Sequence, residues 1–368
     1  MSANTAHTVP PFPADVPSHL LSIIDYRKLK DGDGLELDKL WMAATRHGFW
    51  YLVNHGSVTE AADMFQLTSE TMALPLEEKL MYEQGDNGKS FGYKAKGAYV
   101  TDSAGNVDNV EFFNVAIDDA LSFPHVTHKR YPPVVNGRME PTVRPFVIKT
   151  SEICKTLLEA FEGRLGLPDS SLCRLHFANE TSSGEARCTY SVVRPPLDSH
   201  SQNRVSLLAH TDFGSLTVLH NHRVGGLQVL LPGSDEWKYI QPLPGHLICN
   251  IGDALSIFSG GILQSSLHRV VSPPGEQLTC ERISVAMFLR PSRSVILRAL
   301  VESSDTIALA VNKHRRQGGT MDFDTGSTMS EWHARRLKNH RINNVKRQGP
   351  NTWLAGKGTE HSKLACTA

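Results

Sequence analysis

Between Arg204 and Leu289 the chain is a succession of short runs of β-branched and apolar residues, each closed by glycine or a turn former. Arg204–Ala209, Phe213–Leu219, Gly225–Leu230, Trp237–Ile240, Leu247–Asp253, Ser266–Val271 and Glu281–Leu289 follow one another at nearly regular intervals. Runs of four to eight such residues read as strands. Gly225-Gly226 before Leu227-Gln228-Val229-Leu230 reads as a glycine turn entering a strand, with Trp237–Ile240 as its hairpin partner. Many short strands at even spacing indicate a sandwich or jelly roll, whose mouth is a natural place for a small-molecule site.

This pattern gives His210-Thr211-Asp212 its meaning. With 17 histidines in 368 residues, a His-x-Asp triplet arises by chance roughly once, so the spacing alone leaves open a structural histidine beside a turn aspartate. In a strand, however, side chains two apart share a face, so His210 and Asp212 can reach one metal ion. An ionised Asp in an apolar strand is costly unless it is paired or ligates a metal. A later strand then needs to add one imidazole, and His268 is placed to do so. Two histidines and a carboxylate on one face of an octahedron leave open positions for a co-substrate and O₂, which suits non-haem Fe(II).

Arg282 and Ser284 also stand two apart. A guanidinium fork holds a carboxylate through two charge-assisted hydrogen bonds, and Ser284 can add a third. The same pair fits an arginine at a strand end bound to a surface acid, an arrangement of little energetic worth.

The ordered set of motifs resembles the isopenicillin N synthase-like branch (iron/ascorbate-dependent oxidoreductases) of the 2-oxoglutarate/Fe(II)-dependent dioxygenases. The resemblance spans most of the chain. Ile23-Ile24-Asp25, Ala43 to Gly56, Phe91-Gly92-Tyr93 and Glu111-Phe112-Phe113-Asn114 carry it in the first half. His210-x-Asp212, Gly226-Leu227-Gln228-Val229, Asn250-Ile251-Gly252-Asp253, His268-Arg269-Val270 and Arg282-x-Ser284 carry it in the second, with 56 positions from Asp212 to His268.

The resemblance implies an α+β fold with a double-stranded β-helix (jelly-roll) core and flanking helices. It implies Fe(II) on His210, Asp212 and His268, and 2-oxoglutarate held at its distal carboxylate by Arg282 and Ser284. The reaction it implies consumes O₂, converts 2-oxoglutarate to succinate and CO₂, and hydroxylates, desaturates or cyclises a small organic molecule, with ascorbate as a supporting reductant. Phe288 and Phe113 are the implied pocket-wall residues, although aromatics at strand spacing are usually core residues. Tyr190, in Arg187–Pro196, stands where relatives carry a tyrosine that orients the co-substrate; a slip of one residue would turn it to the other face. Some relatives with the same triad and Arg-x-Ser use no 2-oxoglutarate and bind the substrate's own carboxylate there. A non-catalytic ligand-binding protein on this scaffold is the reading from another class, which the intact triad disfavours. A zinc hydrolase would need a general base beside the metal-bound water, and no motif supplies one.

Composition agrees with one enzyme-sized unit. At 368 residues and 40% hydrophobic content, the chain can bury roughly three quarters of its unfolded surface. Zero formal net charge gives no sign of a nucleic-acid partner. The basic run Arg335–Arg341 follows Ser330-Glu331-Trp332 and reads as the solvated face of a capped helix. Six cysteines, Cys154, Cys173, Cys188, Cys249, Cys280 and Cys366, show no CxxC pair and no zinc spacing, as in a reduced intracellular protein. No apolar run is long enough for a signal peptide or a membrane span. The expectation is a cytoplasmic monomer acting on a small molecule in secondary metabolism.

The organisation expected is a flexible arm over residues 1–17, a mixed helical region over 18–180, the jelly roll over 181–295, and a helical wrap and tail over 296–368. Leu37–Thr45 and Ser151–Leu165 have helical periodicity, and Pro132-Pro133 and Pro141 mark a surface crossing. His220-Asn221-His222 reads as a loop, and His55 as a structural hydrogen bonder.

Overall fold

A computed structural model describes residues 9–101, 106–177, 180–191, 205–221 and 223–348. Arg204, Val192 to Pro196, His222, Cys366, the first eight residues of the arm and the tail beyond Gln348 lie outside the described residues.

The chain forms two sheets that pack on each other, with helices on the far side. The strands are β1 (Ile23–Asp25), β2 (Phe49–Val53), β3 (Gly92–Lys94), β4 (Val110–Ala116), β5 (Glu185–Ser191), β6 (Val205–His210), β7 (Leu216–Asn221) and β8 (Leu227–Leu230). They continue with β9 (Trp237–Tyr239), β10 (Leu247–Ile251), β11 (His268–Val271), β12 (Arg282–Leu289), β13 (Ile296–Arg298) and β14 (Asp324–Thr328). The larger sheet runs β1-β2-β10-β7-β12-β5-β4-β3 and the smaller β6-β11-β8-β9. β1 to β4 thus extend the sheet built by the later strands, so the N-terminal region completes the core rather than folding apart from it.

Alternation along each strand divides the larger sheet into two faces. Trp50, Phe113, Ala186, Cys188, Val218, Cys249, Val285 and Met287 turn to the helices and join the main apolar cluster. Phe49, Tyr51 and Ile248 turn the other way and pack against Leu227 and Val229 of the smaller sheet. The second face is continuous with the cavities described below, so a residue's parity within its strand decides whether it is core or site.

The helical layer centres on Arg144–Leu165. Its buried residues Phe146, Thr150, Ile153, Leu157, Phe161 and Leu165 recur every three or four positions, which gives a single core-facing stripe. Pro145 occupies the first turn, where its missing N–H is no loss, and left-handed Gly166 (φ 67°) closes the helix. The helix begins seven residues before Ser151. The proline-rich stretch before it is not a simple surface crossing: Pro133–Gly137 is a short helix and Met139–Val143 a π-helical turn, with Val135, Met139 and Val143 buried. The C-terminal region includes the β13–β14 hairpin as well as Asp305–Arg316 and Met329–His340. Thr328 and Glu331 form a reciprocal capping box at the start of the latter helix.

Cys154, Cys173, Cys188, Cys249 and Cys280 are free thiols. Among the described residues, no helix is long and apolar enough to cross a membrane. His55 binds Ser57 through Nδ1 at 2.7 Å, as a structural hydrogen bonder should. His220 lies in β7 rather than a loop, buried against His55 and Phe146.

Candidate active site

β6 and β11 are antiparallel neighbours in which His268 stands directly opposite His210. Their rings lie 4.4 Å apart, centre to centre. Asp212, just beyond the end of β6, brings Oδ1 to 3.7 Å from His210 Nε2 and 3.8 Å from His268 Nε2. One ligand atom from each residue falls within 4.8 Å of the other two. Separations of this size suit three ligands around one ion, and the donor set of two imidazoles and a carboxylate suits Fe(II).

The surrounding side chains prepare these ligands. Asp212 Oδ2 accepts from Thr217 Oγ1 at 2.6 Å and from Asn250 Nδ2 at 2.8 Å, leaving Oδ1 to face the imidazoles. Burial pushes the Asp212 carboxyl upward, but His268, His210 and the two hydrogen bonds prevail and hold it at about 2. His268 Nδ1 lies 3.1 Å from the Ser266 carbonyl. Donation to that oxygen places the proton on Nδ1 and leaves the Nε2 lone pair for the metal.

A second layer fixes the turn that carries Asp212. Asp253 donates its backbone N–H to the Asp212 carbonyl at 2.7 Å, and its carboxylate accepts from Thr211 and Ser265. Arg336, fully buried on Met329–His340, donates to Asp253 and to the Thr211 carbonyl. A Cβ on Gly252 would strike the Gly214 carbonyl, so only glycine allows β10 to pass this close to the metal turn.

A cavity of about 90 Å³ opens beside the triad, with Arg282 and Ser284 on its wall along with Thr217, Asn250 and Leu219. Arg282 is buried, and its Nε donates to the Gly225 carbonyl at 3.0 Å. That bond, with the close approach of Gly226, aims the guanidinium along the strand toward Ser284. Burial lowers the Arg282 pKa to about 10, which still leaves the group charged at neutral pH. A second cavity of about 50 Å³ shares His210, Asp212, Leu207, Arg187 and Phe288 with the first. Its outer wall comes from Tyr99, Val100 and Phe213, and from Leu337 and His340 of the closing helix.

Residues 185–291 match the model of the 2OG-Fe(II) oxygenase superfamily, and residues 21–136 match that of the non-haem dioxygenase in morphine synthesis N-terminal region. A 2-oxoglutarate-dependent dioxygenase of Aspergillus fumigatus is 30% identical over 318 residues, covering 79% of this chain and 80% of the relative. The chain belongs to the 2OG-Fe(II) oxygenase superfamily. A 2-oxoglutarate-dependent dioxygenase of Gibberella zeae is 28% identical over 79% of this chain and 85% of its own length. The crystal structure of full-length Neurospora crassa T7H in complex with alpha-KG superposes with a TM-score of 0.68 at 20% identity, covering 86% of this chain and 95% of that one. The fold is therefore the jelly roll of these oxygenases, and the enzyme is an oxidoreductase that uses Fe(II), 2-oxoglutarate and O₂.

Of the residues singled out in the sequence, this oxygenase brings His210, Asp212, His268, Arg282, Ser284 and Phe288 around the two cavities. Tyr190 and Phe113 are exceptions. Ser284 pairs with Thr189 across β12 and β5, so Tyr190 beside Ile283 projects from the opposite face and donates to Glu281 at 2.6 Å. Phe113 has the same wrong parity and packs in the core against Tyr131. Thr217, Arg187, Arg336 and the role of Asn250 were not apparent from sequence. For Arg187 a signal existed: it has the parity of Thr189, which is the parity that faces Ser284.

Proposed function

We propose that His210, Asp212 and His268 hold Fe(II), and that Arg282 and Ser284 hold the distal carboxylate of 2-oxoglutarate. On this reading the enzyme oxidises a small organic molecule of secondary metabolism, most simply by hydroxylation. The observation that carries it is a buried guanidinium, paired to backbone and to Ser284 but to no carboxylate among the described residues, beside a preorganised two-histidine, one-carboxylate site. When bound, the iron and co-substrate supply the oxidising power: R–H, 2-oxoglutarate and O₂ become R–OH, succinate and CO₂. The chain's own residues set the geometry. Asn250 and Thr217 orient Asp212, Ser266 fixes the His268 tautomer, and the apolar walls at Leu207, Leu219 and Phe288 exclude water.

The curated fungal relatives named as 2-oxoglutarate-dependent dioxygenases support the metabolic setting. The balanced charge and free thiols accord with a cytoplasmic monomer that has no nucleic-acid partner, and the jelly-roll unit is taken as residues 181–295. The test is an anaerobic titration of the Fe(II)-loaded protein with 2-oxoglutarate, following the visible charge-transfer band, repeated with Arg282→Ala. A band that the substitution weakens supports the assignment. No band despite bound iron would make this an oxidase that draws electrons from its substrate alone, with Arg282 as the substrate clamp.

A further inference from the structure

Arg187 is half-buried, with 17% of its side chain exposed, and its surroundings differ from those of the buried cations nearby. Its guanidinium lies between two aromatic rings, 4.2 Å from the centre of Phe112 and 4.5 Å from that of Phe288. Nε donates to Asn114 Oδ1 at 3.0 Å and Nη2 to Glu185 Oε1 at 2.6 Å. Nη1 donates to nothing among the described residues, yet Arg187 lines both cavities beside His210 and Asp212. Four contacts therefore hold the plane of the group still while one edge of the fork remains open.

The charge count around it does not close. Glu185 Oε1 also accepts from Arg290 Nη2 at 3.1 Å, so two guanidinium groups share one carboxylate. Of the nearby buried cations, Lys94 has Asp108, Arg336 has Asp253 and Arg341 has Glu83, whereas Arg282 bonds to no carboxylate among the described residues. His333, packed nearby, is held neutral by burial and by the adjacent arginines. Among the described residues, Arg187 and Arg290 together carry one more positive charge than the carboxylate they share. A guanidinium that shares its carboxylate and keeps one N–H edge unpaired on a cavity wall is matched by a ligand anion. The same cavity is also lined by Tyr99, Val100, Phe213, Leu337 and His340, a mostly apolar and aromatic wall.

We propose that this oxygenase acts on a substrate bearing a carboxylate, which the open edge of Arg187 binds while an aromatic or otherwise planar apolar portion lies against Phe213, Phe288 and Tyr99. The proposal rests on the oxygenase reading above and adds the substrate class. Arg282 serves the co-substrate and Arg187 the substrate. The two guanidinium groups stand on different strands, β12 and β5, with the shared sheet face between them.

The test uses three acids, phenylacetate, 3-phenylpropionate and cinnamate, each against its primary amide. Binding is measured by anaerobic calorimetry on full-length protein saturated with Fe(II) and 2-oxoglutarate. At least one acid should bind about tenfold or more tightly than its amide, as expected for a charge-assisted pair in a sheltered site. Arg187→Gln should remove the preference, and Arg187→Lys, which keeps the charge but lacks the planar fork, should keep only part of it. Both variants should retain the 2-oxoglutarate charge-transfer band; if Arg187→Gln does not, the lysine variant decides. Equal binding of acids and amides, no binding by any acid, or a preference that survives both substitutions overturns the proposal. So does a loss of 2-oxoglutarate affinity with acid preference unchanged, because Arg187 would then serve the co-substrate. Absence of the band in the unsubstituted protein refutes the oxygenase reading instead, and the acid–amide comparison can still be made on that protein.

Discussion

Asn250 donates its side-chain amide to Asp212 at 2.8 Å, on the oxygen that does not face the two histidines. The bond ties the metal turn to β10, a strand of the opposite sheet, so metal geometry is coupled to the packing of the two sheets. Removal of a residue that orients a ligand typically lowers metal affinity about 10- to 100-fold. Asn250→Ala should weaken Fe(II) binding to that degree in a competition titration with a chelator, with the circular dichroism spectrum unchanged. Unaltered affinity would mean that Thr217 alone orients the carboxylate.

Arg336 and Asp253 form a pair with both side chains fully buried, and the pair braces the backbone at Thr211 and Asp212. Removing one partner strands the other charge away from water, at a cost of about 3–5 kcal/mol. Arg336→Met should lower the urea midpoint accordingly and also loosen Fe(II). A loss below about 1 kcal/mol would show that water reaches Asp253 once the arginine is gone.

Tyr190 points away from both cavities and makes one exposed hydrogen bond, to Glu281. Tyr190→Phe should therefore leave 2-oxoglutarate affinity within about twofold of the parent and stability within about 0.5 kcal/mol. A marked fall in affinity, read from the charge-transfer titration, would place the tyrosine at the co-substrate after all.

Burial lowers the pKa of His176 to about 4, and burial with the nearby His55 lowers that of His220 to about 3. In the unfolded chain both take up a proton near 6.5, whereas in the folded protein they resist until those lower values. Protonation between these limits favours the unfolded state, so the contribution is complete above pH 6.5 and is lost as pH falls toward 4 and then 3. Thermal melting of the metal-free protein should show a loss on the order of a few kcal/mol over that window. His220→Phe, which removes one titrating group, should flatten the curve; identical curves for the two proteins would rule His220 out as a contributor.

The strands, and the residues His210, Asp212, His268, Arg282 and Ser284 that meet on one cavity, were legible in the sequence because each rests on local chemistry. Period-two spacing puts His210 with Asp212 and Arg282 with Ser284, and glycine at 226 and 252 marks where backbone must pass close. Residues 132–143 misled because proline signals a break in isolation, whereas here Pro133 starts a helix and Pro141 fits a π-helical turn against the core. Tyr190 and Phe113 could not be assigned from spacing alone, since parity gives two faces without saying which one meets the smaller sheet. Only the registers of β4, β5 and β12 settle that, through Ser284 against Thr189 and Thr189 against Phe112.

What the amino-acid sequence determined by itself is therefore the family and the jelly roll, carried by motifs in order along the chain, and the candidate metal ligands that those motifs contain. Tertiary structure alone decided which oxygen of Asp212 faces the histidines, that Arg336 reaches Asp253 across 83 positions of chain, and that Arg187 and Arg290 share a single carboxylate. The physical reason is that hydrogen-bond partners and uncompensated charge are sums over neighbours in space, and strands distant in sequence become neighbours only when the sheets close.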